Sequence, residues 1–194
     1  MRSQRVALVT AFLAALGACT DATGDADGCS LEAGARYHAL RGLVPMLELT
    51  MAAYCAHIDF NGAANWLKQQ YEEERQHAIR IYNYLIDQGV QVMLKAIGEP
   101  PSDFGSILEV FESSLKHEQG MTRKLNNLSD QALKEKDHAT YNLLQWFVNE
   151  QVEEENTAAD ICHKLQLIQD NSIGLLALDR ELGARGPQSG GEGH

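Results

Sequence analysis

The stretch Ala64-Asn-Trp-Leu67-Lys-Gln-Gln-Tyr71-Glu-Glu-Glu74-Arg-Gln-His77-Ala78-Ile-Arg-Ile81-Tyr-Asn-Tyr-Leu85 decides how the chain folds. Taken in steps of three and four, Ala64, Leu67, Tyr71, Glu74, Ala78, Ile81 and Leu85 lie on one face of a long helix. Glu74 stands in the middle of that apolar face, where a carboxylate is costly to bury unless something positive meets it. His77 follows one turn later, beside it. A Glu-x-x-His pair turned into a helical bundle is a way to hold iron or manganese.

Two further segments repeat the pattern. Phe104, Leu108, Phe111, Leu115, Glu118, Thr122 and Leu125 form a second stripe, interrupted by Glu118. Leu144, Phe147, Gln151, Glu154, Ala158, Ile161 and Leu165 form a third, interrupted by Gln151 and Glu154. A single acid on an apolar face is commonly a rim residue with a buried stem. Acids at matched depth on three helices, one beside a histidine, point instead to a shared metal site.

Working outward, Asn61 predicts the start of the Glu74 helix and Gly89 its stop. Ser102 is expected to cap the Glu118 helix and Asp137 the Glu154 helix, which runs to about Gln166. Asn171 precedes a short fifth helix over about Ser172 to Leu182. A first helix is expected from about Leu40 to Ile58, weakened by Gly42 and Pro45. The turns at residues 58–61 and 134–137 are short, so the helices they join are antiparallel neighbours. The link from Gly89 to Pro101 reaches at most ~43–47 Å when extended. A helix of the preceding length spans roughly 40 Å, so the link can return along it. The expected fold is all-α: a four-helix bundle with one long crossover between the second and third helices, and a short fifth helix.

Composition agrees. The 194 residues suffice for one sizeable core, and only four are proline. A net charge of −11 excludes a basic nucleic-acid footprint. No Gly-rich phosphate loop and no membrane-length apolar run occurs. The four cysteines, Cys19, Cys29, Cys55 and Cys162, form no C-x-x-C pair. Cys55 and Cys162 fall inside helical segments and read as buried thiols. At the N-terminus, Arg2 and Arg5 precede an apolar run from Val6 to Ala18, and Leu16-Gly-Ala-Cys19 follows. This pattern reads as a lipoprotein-type export signal, with Asp21 to Gly28 a polar linker.

From about Met51 to Arg185 the chain resembles the bacterial non-haem ferritins. The resemblance rests on Met51-Ala-Ala-Tyr-Cys55, Gly62-Ala-Ala-Asn-Trp-Leu67, Glu73-Glu-Arg-Gln-His77 and Lys116-His-Glu-Gln119. Leu144-Gln-Trp-Phe147, Glu150-Gln-Val-Glu-Glu-Glu155 and Leu178-Asp-Arg-Glu-Leu182 continue it. It implies a ferritin-like domain over 31–185 with an atypical first helix; the signal-like segment and linker occupy 1–30, and the Gly-rich tail over 186–194 is expected to fray. It further implies a homo-oligomeric cage, a 24-mer, that oxidises Fe(II) with O2 or H2O2 and stores a ferric oxyhydroxide mineral. Glu74 would bridge two irons, His77 would bind the first, and Glu118 and Glu154 the second, with Gln151 close by. Glu73, Glu150 and Glu153, with Glu154, match a third iron site. Trp146 matches an aromatic residue beside the centre.

The resemblance implies no haem, since Arg75 stands where a haem-binding methionine would. Thr157 stands where a symmetric di-iron protein would place a second histidine, which separates the chain from rubrerythrin-type peroxide scavengers. One departure concerns the first helix. The family's glutamate there falls on Arg41. Glu48 shares its stripe but lies roughly 10 Å further along, at the place of a family tyrosine. An intact ferroxidase and a storage shell with impaired oxidation both follow from this pattern. Residues 25–50 keep the family's length without its chemistry, as a shifted reading frame, a mis-assembled gene or an export-fused variant would produce. The family implies a cytoplasmic protein with no membrane partner; the signal, taken literally, implies an exported one anchored through Cys19.

Remaining residues carry plainer expectations. His117, beside Glu118, is expected on a solvent-facing side rather than as a ligand. Glu72 and Glu155 are expected in water, because consecutive helical residues point ~100° apart. Ile173, Leu176 and Leu182 make the fifth helix too apolar for a lone surface helix, so it is expected to pack against neighbouring subunits.

Overall fold

A computed structural model describes residues 37–39, 46–93 and 99–186. Its helices are α1 (Met46–His57), α2 (Asn61–Asp87), α3 (Ile107–Lys134), α4 (His138–Ile168) and α5 (Ser172–Gly183). The architecture is all-α, a four-helix bundle with a short C-terminal helix. Two three-residue strands, β1 (Tyr37–Ala39) and β2 (Gln91–Met93), were not expected; they pair in parallel with Tyr37 opposite Gln91. β2 lies in the connection between α2 and α3. The expected first helix began near Leu40; the described one begins at Met46, and 40–45, with Arg41, Gly42 and Pro45, lie outside the described residues. So do the signal-like segment, Cys19 and Cys29, and the tail beyond Gly186.

The described chain forms two compact units, and α2, α3 and α4 each contribute a length to both. One unit takes in 37–39, 79–93 and 116–156. Its core joins Ile81, Leu85 and Val90 to Leu125, Leu128, Leu144 and Phe147. The other takes in 46–78, 99–115 and 157–186. Its core joins Met51 and Cys55 to Leu67, Phe111, Ile161 and Leu178. Each fully buried aliphatic or aromatic side chain contributes about 1.5–3 kcal/mol of transfer free energy. The helical stripes read from sequence supply Leu67, Ile81, Leu85, Phe111, Leu125, Leu144, Phe147 and Ile161 of these, which is why the stripes settle on the core. Cys55 and Cys162 are buried thiols outside any disulfide, as expected, and burial pushes Cys55 up to about 12.

Helix ends follow a common device. At the close of α2, the Val90 amide donates to Leu85 O at 3.0 Å and the Gly89 amide to Ile86 O at 2.8 Å, with Gly89 at φ 72°. Leu85 and Val90 are both buried, the apolar contact that accompanies such a closure. The ends of α1 and α3 use the same hydrogen bonds, with Asp59 (φ 65°) and Lys136 (φ 57°) in the left-handed position. Asp137 then caps α4, accepting from the Thr140 amide at 3.2 Å and its hydroxyl at 2.8 Å. Asn171 caps α5 as expected, accepting from the Ile173 and Gly174 amides.

Two caps depart from the sequence reading. The N-cap of α3 is Ser106, not Ser102: its Oγ accepts from the Glu109 amide at 3.2 Å. Gly105 (φ 76°) makes the turn before it, where a Cβ would lie 2.1 Å from Glu109 Oε2. Ser102 fails because the chain still has that turn to make. At the start of α2, the Ala63 amide donates not to a local cap but to Asp179 Oδ1 of α5, at 2.9 Å. That contact needs Gly62, where a Cβ would lie 1.7 Å from Asp179 O.

Candidate metal centre

On α2, Glu74 and His77 stand one turn apart, with Oε1 and Nδ1 3.4 Å from each other and side chains 19% and 14% exposed. The helical register that reads as an apolar stripe puts both on one face. On α3, Glu118 is buried. On α4, Gln151 is buried and Glu154 half-buried. Gln151 Nε2 donates to Glu118 Oε2 at 3.0 Å, and it also donates to Glu154 Oε2. One amide group thus links two carboxylates that would otherwise repel. An amide turned over presents its oxygen instead, so Gln151 can serve either the bare acids or a cation.

On α1, Glu48 is completely buried. Burial pushes its carboxyl up to about 7; a hydrogen bond to its own backbone opposes this, and the Glu74 carboxylate adds to it. A protonated acid is the form a dry, acid-rich neighbourhood selects.

Among the described residues, two triads place one ligand atom from each member within 4.8 Å of the others: Glu74, His77 and Glu154, and Glu48, His117 and Glu118. Carboxylate oxygen and imidazole nitrogen form a donor set suited to iron. The first triad groups residues that the sequence singles out. The second corrects one expectation: His117 is half-buried and grouped with Glu48 and Glu118, not turned to solvent. Spacing gave no sign of this. A ~100° step from Glu118 puts His117 off the stripe, so spacing along the helix does not single it out.

The remaining acids divide. Glu73 pairs with Arg185 at 2.6 Å. Glu150 is half-buried and Glu153 exposed, and none of the three joins either triad. Glu72 is exposed and pairs with Arg75, as expected for a solvated residue. Glu155 is not solvated: it is half-buried and accepts a hydrogen bond from the Thr122 hydroxyl. Thr122 lies on the α3 stripe, and its hydroxyl draws the acid inward. Trp146 is half-buried, with the Arg80 guanidinium 4.0 Å over its ring.

A helical bundle carrying Glu/His triads defines a class, the carboxylate-rich metal-binding bundles. Residues 46–168 match the ferritin-like domain family. Over 137 residues the chain is 45% identical to the bacterial non-heme ferritin of Staphylococcus aureus (strain USA300), spanning 71% of this chain and 82% of that protein. It is 44% identical over 137 residues to the bacterial non-heme ferritin of Staphylococcus haemolyticus (strain JCSC1435). Among solved structures, an open pore ferritin from the hyperthermophilic archaeon Archaeoglobus fulgidus superposes with a TM-score of 0.73 at 43% identity, covering 74% of this chain and 88% of that one. A second structure of an open pore ferritin from that archaeon gives 0.77 at 36% identity, covering 93% and 98%. The chain belongs to the ferritin family.

Proposed function

We propose that this protein is the subunit of an iron-storing ferritin that binds Fe(II) at Glu74, His77, Glu118, Glu154 and Gln151 and oxidises it with O2 or H2O2. The observation that carries this reading is the pair of Glu/His triads on the helices of a ferritin-family chain. Iron is substrate and cargo here. Two Fe(II) ions each give up one electron; O2 takes both electrons and two protons to leave as H2O2. The protein's part is to bring two dications together and to favour the ferric state. Carboxylates do both: a Glu74 bridge offsets the repulsion between the ions, and dense negative charge stabilises the higher oxidation state. Few strong neutral donors also permit release toward a mineral.

Glu48 serves, in this reading, as the first-helix carboxylate. The position expected to carry that acid is Arg41, which lies outside the described residues. Glu48 is near enough to Glu74 to feel its charge, and its triad with His117 and Glu118 brings a second imidazole. Cation binding there would displace the proton that burial keeps on Glu48 near neutral pH. A storage shell with slow oxidation is the competing reading; a ferritin subunit without a working Glu48 would behave that way. We further propose a homo-oligomeric cage, a 24-mer, working in the cytoplasm. No helix among the described residues is long and apolar enough to cross a membrane.

Rapid mixing of anaerobically loaded protein with O2, followed by ferric absorbance, tests the oxidation. Glu74→Ala and His77→Ala are each expected to slow it by more than about tenfold while the assembly persists. Wild-type rates in both variants would remove the centre. A slow phase in the unmodified protein, matching that of Glu48→Ala, would favour the passive shell.

A further inference from the structure

Arg185 lies two residues beyond α5, and its guanidinium is held from three sides within one compact unit. Nη2 donates to Glu73 Oε2 at 2.6 Å, Nη1 donates to Gln70 Oε1 at 3.1 Å, and Cζ sits 4.6 Å over the Trp66 ring. Its backbone carbonyl accepts from Asn65 Nδ2 at 3.1 Å. With Asp179 on the Ala63 amide, the C-terminal segment grips successive turns of α2 and ends on the acid next to Glu74. The pair is sheltered, Arg185 and Glu73 being 21% and 16% exposed. A guanidinium cannot shed its charge, so Arg185 holds a fixed positive charge against Glu73.

Glu73 is only half satisfied. Its second oxygen, Oε1, is buried and has no hydrogen-bond partner among the described residues. Its other oxygen, Oε2, is held by the Arg185 guanidinium. Glu73 therefore depends on a nearby cation, and Arg185, just beyond α5, supplies one. A dication arriving at Oε1 would face the guanidinium across a single carboxylate, and two cations on one carboxylate in a sheltered place repel.

We propose that Arg185 is an internal competitor of Fe(II) for Glu73, so that iron on Glu73 and the docked C-terminal segment exclude each other. This rests on the iron reading above, but concerns an acid outside both triads. Linkage makes the effect reciprocal: the factor by which docking weakens iron at Glu73 is the factor by which iron weakens docking. The fifth helix would then loosen as iron passes Glu73.

Two measurements on the full-length assembly under anaerobic conditions test it. In Fe(II) titrations by calorimetry, Arg185→Gln is expected to tighten the weakest class of sites by about tenfold, and Glu73→Gln to abolish that class. In hydrogen exchange, saturating the unmodified protein with Fe(II) is expected to speed exchange at Ala184 and Arg185, whose amides donate to Glu181 and Leu182 carbonyls. Glu73→Gln should cancel that response. The exchange measurement needs no Arg185 variant, so it decides the matter even if Arg185→Gln fails to fold. Unaltered exchange on Fe(II) saturation, or identical isotherms for Arg185→Gln and the unmodified protein, would overturn the competition. If Fe(II) still binds at the Glu74 sites, the iron reading survives that result; if none binds anywhere, both readings fall.

Discussion

Glu48 shows what a single buried side chain adds to this protein. A carboxyl whose folded pKa rises from 4.5 to about 7 keeps its proton longer in the native state than in the unfolded one. Between those values the native protein binds more protons, so stability falls as pH rises. The contribution is complete below about 4.5 and gone above about 7. Metal-free protein should therefore lose thermal stability, relative to Glu48→Gln, as pH climbs through that window. Melting curves of both proteins across it check this, and parallel curves would show that Glu48 does not titrate there. Fe(II) should restore stability at the upper end by replacing the lost proton. Glu73 makes a different point. Its sequence position says "acid beside a ligand", but its partner Arg185 is 112 residues away, so its role was not legible from its neighbours.

At the scale of elements, the helix termini separate what is local from what is not. Gly89, Asp137 and Asn171 do what their residue types predict, because a left-handed turn or a capping oxygen acts within a few residues. Asp59 and Lys136 occupy left-handed positions without being glycine, at a cost of about 1–2 kcal/mol each. Lys136→Gly should raise stability by roughly 0.5–1 kcal/mol, the relief being partly offset by the freer unfolded chain. Denaturant titration reads this directly, and an unchanged midpoint would mean the lysine side chain contributes as much as its backbone costs. Gly105→Ala should do the opposite, losing at least about 1 kcal/mol, since it joins a positive φ to a clash with Glu109. α2 begins at Asn61 as expected, but the Ala63 amide is taken by Asp179, an aspartate delivered by α5, rather than by a local cap.

For the whole molecule, the fifth helix divides its apolar residues. Leu178 and Leu182 are buried within the subunit, whereas Ile173 and Leu176 remain 81% and 60% exposed. The expectation that Leu182 faces a neighbouring subunit is thus corrected; the exposed pair carries that role in the proposed cage. Leu176→Asp is expected to reduce the assembly to smaller species by placing charges where apolar surfaces should meet. Sedimentation of the variant measures it, and full-size particles would place the fifth-helix contact elsewhere.

The stripes through Glu74, Glu118 and Glu154 were written in the sequence, since a helix repeats every 3.6 residues and its buried face must repeat with it. They determined the all-α fold and the Glu74–His77 pair, while the resemblance to the ferritins rests on the motifs around them. Only tertiary structure decided that Glu48 lies buried, that Gln151 ties two acids together, and that Arg185 closes on Glu73. Those pairings depend on which helices meet and at what depth. Spacing along one helix carries no information about the residues another helix brings to it.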